Sequence, residues 1–298
     1  MWPVGAWLQL PFPRQRRLPY KTAMISIRPG LIAVAAATAL ATGIPASALA
    51  AGVAAAQAPL GEPYSRAFGV EAPGDVKTLV FVLHGDAPFT KPSYHYAFAA
   101  EAAKLPGVRA IGILRPGYED KDGDVSPGVR GLTTGDNYTP DRVDAIARAI
   151  AAIEARYPGA AHVVVGHSGG AAIAADLAAL HPDLVDGALL VSCPCDLPKW
   201  RAFMKRKIPQ APFEKPVDSY NSIALVPRLS PRLALSMMVG SADDTAPPDL
   251  TQAYAAAAHA RGIAVDLRIL PGKPLDILNE PAVIPALADL IAKVTKTR

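Results

Sequence analysis

The chain has 298 residues and a formal net charge of +4. Arg14, Arg16, Arg17, Lys21 and Arg28 are the only charged residues before position 51, so residues 51–298 carry a net −1. That balance excludes the basic surface that nucleic-acid binding needs. Two cysteines exclude a disulfide scaffold, and no histidine cluster suggests a metal site.

The predicted elements begin with a leader over residues 1–50. From Met24 a basic start, the apolar run from Leu31 and the small-residue end Ala48-Leu49-Ala50 have the pattern of a signal peptide. The spacing puts the true start at Met24 and the mature start near Ala51. Gly43 and Pro45 break the apolar run, so no stable membrane span is expected after cleavage. The expected destination is the periplasm or the medium. Residues 51–298 have the length of one α/β domain.

Residues 51–75, rich in Ala, Gly and Pro, read as an arm with an early strand. Thr78–Leu83 and Val108–Leu114 are apolar runs of the kind that sit in a sheet buried on both faces. Asp141–Tyr157 repeats Val143, Ile146, Ile150 and Ile153 at helical spacing. Further strands are read at Val163–Val165, Val185–Val191, Leu233–Val239 and Val265–Leu270, and helices at Asp249–Ala260 and Pro281–Val294. The stretch 197–230 breaks the rhythm and reads as a short cap insertion. Its Lys199, Arg201, Lys205, Arg206 and Lys207 form a solvated face, or else a cationic rim. Cys193 and Cys195, two apart after a strand, are expected to be structural thiols. Alternating strands and helices predict a mostly parallel sheet with helices on both faces, its chemistry beyond the carboxyl ends of the strands.

The chemistry centres on Val163-Val164-Val165-Gly166-His167-Ser168-Gly169-Gly170. A buried strand, a Gly-x-Ser-x-Gly turn and a small-residue helix follow one another. Such a turn lifts the serine Oγ clear of the strand end, with the next backbone N–H aimed at a developing oxyanion. Ser168 is therefore the candidate nucleophile and Gly169 an oxyanion donor.

On these residues the chain resembles the α/β-hydrolase superfamily, over roughly residues 60–298. His84-Gly85-Asp86 and Arg115-Pro116-Gly117-Tyr118 resemble its turns after the early strands. The resemblance implies the α/β-hydrolase fold, a second oxyanion donor at the backbone N–H of Asp86, and a structural role for His84. Gly240-Ser241-Ala242-Asp243 before Pro247-Pro248 resembles the acid loop, which implies Asp243 as triad acid with Asp244 as fallback. After the last strand, Pro271-Gly272-Lys273-Pro274-Leu275-Asp276 resembles the histidine loop, but Leu275 stands where the family has histidine. No histidine follows His259. His167 should point away from Ser168, and His95 is a remote substitute.

The resemblance implies a serine hydrolase acting on an ester or related acyl bond of a small molecule through an acyl-enzyme, without metal or cofactor. Loss of the base predicts impaired activity in the chain as written. The alternatives are a non-catalytic ligand-binding protein on the same scaffold and a peptidase of the same fold. A haloalkane dehalogenase is disfavoured, because it needs a carboxylate where Ser168 stands. Trp200 and Phe203 are candidates to line an acyl pocket. The sequence leaves the oligomeric state open.

Overall fold

A computed structural model describes residues 60–131 and 134–296. The leader and the cleavage site read from the sequence lie outside the described residues. Seven strands form one sheet: β1 (Ser65–Gly69), β2 (Thr78–Leu83), β3 (Val108–Ile113), β4 (Ala161–His167), β5 (Gly187–Val191), β6 (Ala234–Gly240) and β7 (Val265–Leu270). Their spatial order is β1-β3-β2-β4-β5-β6-β7. β1 runs antiparallel to β3 and every other pair is parallel.

The helices are α1 (Tyr94–Ala102), α2 (Pro140–Glu154), α3 (Gly169–Leu180), α4 (Leu197–Lys207), α5 (Ser222–Leu225), α6 (Pro248–Ala260) and α7 (Val283–Lys296). The central strands bury both faces, so alternate side chains enter two different cores. Leu79, Phe81 and Leu83 of β2 join the core under α2, α3 and α6. Val80 and Val82 join the core under α1 and α7. The sequence reading missed α1, because Tyr-His-Tyr-Ala-Phe-Ala-Ala-Glu-Ala shows no clean apolar stripe. The predicted cap contains α4 and α5 joined by irregular chain.

The topology places the site. From β2 the chain crosses to β3 on one side, and from β4 it crosses to β5 on the other, while β2 and β4 are neighbours. The connections diverge there and leave a crevice at the carboxyl ends. His84-Gly85-Asp86 leaves β2 at that crevice, and Ser168 leaves β4 beside it.

One expectation is corrected. Cys193 and Cys195 are joined in a disulfide, not free thiols. In the segment after β5 their Cα atoms stand 5.1 Å apart, within ordinary disulfide reach.

Candidate active site

Ser168 occupies the turn between β4 and α3 with φ 52° and ψ −123°. A non-glycine residue in this region is strained and is held by its surroundings. Its own N–H donates to the Val191 carbonyl at 2.8 Å, which ties the turn to β5. The glycines make the crossing possible: a Cβ on Gly166 would stand 2.2 Å from the Gly170 carbonyl oxygen. Strand and helix can converge only because neither carries a side chain there.

The loop after β2 lies against this turn, with Gly85 packed on Ser168. Asp86 is in direct contact with Gly169. A Cβ on Gly169 would fall 2.6 Å from Asp86 Oδ1 and 2.5 Å from the Tyr138 hydroxyl. The two residues expected to supply oxyanion donors are thus adjacent, and neither N–H donates to another described backbone group.

The Asp86 side chain anchors the loop from below. Oδ1 accepts from Arg115 Nη1 at 3.0 Å. Oδ2 accepts from the Tyr138 hydroxyl at 2.6 Å and from Gly135 N–H at 2.9 Å. Arg115 is fully buried, so the pair is a buried salt bridge. His84 holds the other side: its Nδ1 bonds the Gly85 carbonyl at 2.7 Å, and its Nε2 accepts from Arg115 N–H at 3.0 Å. Burial, with His95 and Arg115 close by, holds its pKa well below the usual imidazole range.

Asp243 sits in the turn after β6 and is 4% exposed. Its Oδ1 accepts from Thr245 N–H at 3.0 Å and from Ala246 N–H at 2.8 Å. Its Oδ2 is buried and has no hydrogen-bond partner among the described residues. Burial raises the Asp243 pKa, while the two loop amides and the nearby Ser192 hydroxyl partly offset the rise. Asp244 points away into an exposed ion pair with Lys207 at 2.9 Å. The geometry therefore favours Asp243 over Asp244 as an internal acid.

Leu275 is half-buried on the loop after β7. Its carbonyl accepts from His167 Nε2 at 3.0 Å and from Ser192 Oγ at 3.2 Å. His167 immediately precedes Ser168, and Ser192 neighbours Asp243. The backbone at 275, where the sequence reading expected a histidine, is thus pinned to the serine turn through His167 and to Ser192, and the side chain there has no nitrogen.

No other histidine takes that place. Both ring nitrogens of His167 are engaged, Nε2 with Leu275 and Nδ1 with the Tyr94 hydroxyl at 2.7 Å. Burial lowers its pKa. His95 is buried against His84 and Tyr96, with its pKa lowered to about 3, chiefly by burial and next by the Arg66 charge. Trp200 is 4% exposed and donates its indole N–H to the Thr245 carbonyl at 2.7 Å, so it seats the cap on the acid loop. Phe203 packs partly buried against the same core. Lys199, Lys205 and Lys207 of the cap are each ion-paired, and Arg201 binds three backbone carbonyls. Lys205 pairs within the cap, with Glu214, while Lys199 and Lys207 pair with Asp249 and Asp244 outside it, so these lysines tie the cap to its surroundings.

Sequence reasoning passed over Tyr94, Tyr138, Ser192 and the side-chain role of Arg115. All four act on backbone or loop groups far away in sequence. Only the Arg-Pro-Gly-Tyr turn marked one of them in advance. Among the described residues no group of three acidic, histidine or cysteine side chains is arranged to hold a metal, and no helix is long and apolar enough to cross a membrane.

The model of a family described as "Alpha/beta hydrolase family" matches residues 79–293. Among solved structures, an esterase of Pyrococcus furiosus superposes with a TM-score of 0.57 at 16% identity, covering 78% of this chain and 91% of that one. A proline iminopeptidase of Mycobacterium smegmatis gives 0.55 at 16% identity, covering 78% and 95%. A monoacylglycerol lipase of Paleococcus ferrophilus gives 0.52 at 17% identity, covering 80% and 100%. No curated protein sequence matches the chain.

Proposed function

Because the chain belongs to the alpha/beta hydrolase family, we propose that it is an exported serine hydrolase for ester or related acyl bonds, impaired by Leu275 in the place of its base. The observation that carries this reading is that one chain holds both a strained Ser168 and a buried Asp243 oxygen with no hydrogen-bond partner among the described residues. A carboxylate with one oxygen fixed by two amides and the other unpaired is the arrangement that orients an imidazole N–H.

In the proposed reaction Ser168 Oγ attacks the acyl carbon, and the Gly169 and Asp86 N–H groups hold the oxyanion. The leaving group departs with a proton, and water then releases the acid from the acyl-enzyme. The serine proton needs an acceptor, and leucine offers none. Loss of a triad member costs about three to six powers of ten in rate, leaving what oxyanion stabilisation and binding supply. Export is supported by the leader pattern of residues 24–50 and by the Cys193–Cys195 disulfide, which suits an oxidising compartment.

Leu275 also favours a second reading, a non-catalytic binder in which the leucine adds an apolar wall to the old pocket. A peptidase of the same fold is a third, consistent with the iminopeptidase among the structural relatives.

Short p-nitrophenyl esters, assayed with the full chain and its Leu275→His variant, separate these. The serine-hydrolase reading expects a gain on the order of a thousandfold in kcat/KM for the variant. A chain that is already fast, with no gain, overturns the assignment of position 275. Two inert proteins that also resist a phosphonate serine probe support the binder.

A further inference from the structure

β7 is the last strand of the sheet and, among the described residues, pairs only with β6. The Leu270 carbonyl accepts from Ser241 N–H at 2.9 Å, on the β6 side. Backbone groups of successive residues alternate sides along a strand, so Asp266, Arg268 and Leu270 point theirs to β6. Val265, Leu267 and Ile269 point theirs outward. The side chains of Val265 and Leu267 pack partly buried on the core at one face of the sheet, and Ile269 is 40% exposed. An open edge of this kind is a template for another strand.

We infer that this edge is an interface with a second copy of the chain, formed by antiparallel pairing of the two β7 strands about Leu267. In that register Leu267 faces its own equivalent, and Val265 faces Ile269 of the second copy. These are the outward residues, so they form the hydrogen-bonded pairs. The intervening non-hydrogen-bonded pairs set Asp266 against Arg268 of the second copy, and Arg268 against Asp266. Opposite charges thus meet twice, where side chains across a ladder come closest.

The flank of the edge fits the same partner. β7 and α7 border a groove of about 600 Å³ whose lining includes Asp266, Arg268, Asp289, Lys293 and Lys296. Within one copy Arg268 serves two acids, Asp266 at 2.8 Å and Asp289 at 2.7 Å. A twofold axis brings the acids and bases of one copy to the same groove of the other. Such a mixed-charge surface is self-complementary, as a twofold interface requires. The opposite edge lacks the property: the same symmetric pairing of β1 would set Arg66 against Phe68.

Sedimentation velocity on the full chain over a range of concentrations, with cysteine cross-linking, tests the inference. The expected result is a concentration-dependent dimer, weakened on the order of tenfold or more by Arg268→Asp, which turns both cross-strand attractions into repulsions. In the same register Leu267→Cys places two thiols on a hydrogen-bonded pair with Cα atoms about 5.5 Å apart, so it oxidises to a covalent dimer. Ile269→Cys separates its thiols by four residues, about 13 Å, and does not cross-link. A monomer at every concentration overturns the inference. So does a dimer that Arg268→Asp leaves unchanged, or one that cross-links equally well at both positions. None of these readouts depends on catalytic activity.

Discussion

Asp176 offers a sharp test of the packing around α3. It is fully buried, and neither carboxyl oxygen has a hydrogen-bond partner among the described residues. The nearby Ser222 hydroxyl donates to the Ala172 carbonyl at 3.2 Å. Burial raises the Asp176 pKa from 3.8 to about 8, and Ser222 offsets only part of the rise. At neutral pH the folded chain therefore holds a proton there that the unfolded chain has released. Below pH 3.8 both states are protonated and the group makes no pH-dependent contribution. As pH rises the unfolded state loses its proton first, so stability falls until the folded group titrates near 8, and then levels. At about 1.4 kcal/mol per pH unit, the full window removes on the order of 5 kcal/mol. Asp176→Asn keeps the shape and removes the proton. In urea unfolding it should match the parent within about 1 kcal/mol near pH 4.5 and exceed it by several kcal/mol at pH 9. Slopes from other groups, Asp243 included, are common to both proteins and cancel in the difference. Parallel stability curves for parent and variant would refute the buried, partnerless placement.

The remaining predictions concern the site. In the Leu275→His chain, Gly169→Ala should abolish labelling of Ser168 by a phosphonate probe while the protein still folds, because the new methyl collides with the Asp86 carboxylate and the Tyr138 hydroxyl; undiminished labelling would show that Asp86 does not border the oxyanion site. Asp243→Asn should act oppositely in two backgrounds. In the chain as written it removes a buried charge whose Oδ2 has no hydrogen-bond partner among the described residues, and should raise the urea midpoint, by about 1 kcal/mol in stability. In the Leu275→His chain it should lower kcat on the order of ten-thousandfold, and a kcat left unchanged there would separate Asp243 from position 275.

Much of this architecture was legible in the sequence because burial on two faces leaves an unmistakable mark. Thr78–Leu83 and Val163–Val165 are continuous apolar runs because their side chains enter two cores, one on each face of the sheet. The turn at Ser168 was legible for a steric reason: only glycine fits at 166 and 170 where strand and helix cross. What escaped were contacts that leave no periodic trace. α1 is buried over most of its small circumference, so it shows no stripe. Tyr94 works by bridging Gly85 N–H and His167, and Tyr138 by binding Asp86, 52 residues away in sequence. The Cys193–Cys195 bridge was misjudged because a separation of two suggests strain, whereas the two Cα atoms stand 5.1 Å apart, within the spacing that a bridge needs.

The support of position 275 is almost wholly independent of the side chain carried there. His167 and Ser192 both bind the carbonyl of residue 275, not its side chain. Tyr94 accepts from Gly85 N–H at 2.6 Å and bonds His167, so one chain of hydrogen bonds runs from the oxyanion loop to the loop after β7. Asp243 takes its position from Thr245 and Ala246, again through backbone. On the proposed reading, a histidine at 275 would keep every one of these backbone bonds and would add a donor for Asp243 Oδ2. The expected effect of that change falls on proton transfer and not on the fold. That is why a single substitution at 275 is a sufficient test of the proposed chemistry: the rest of the machinery stands with or without the imidazole.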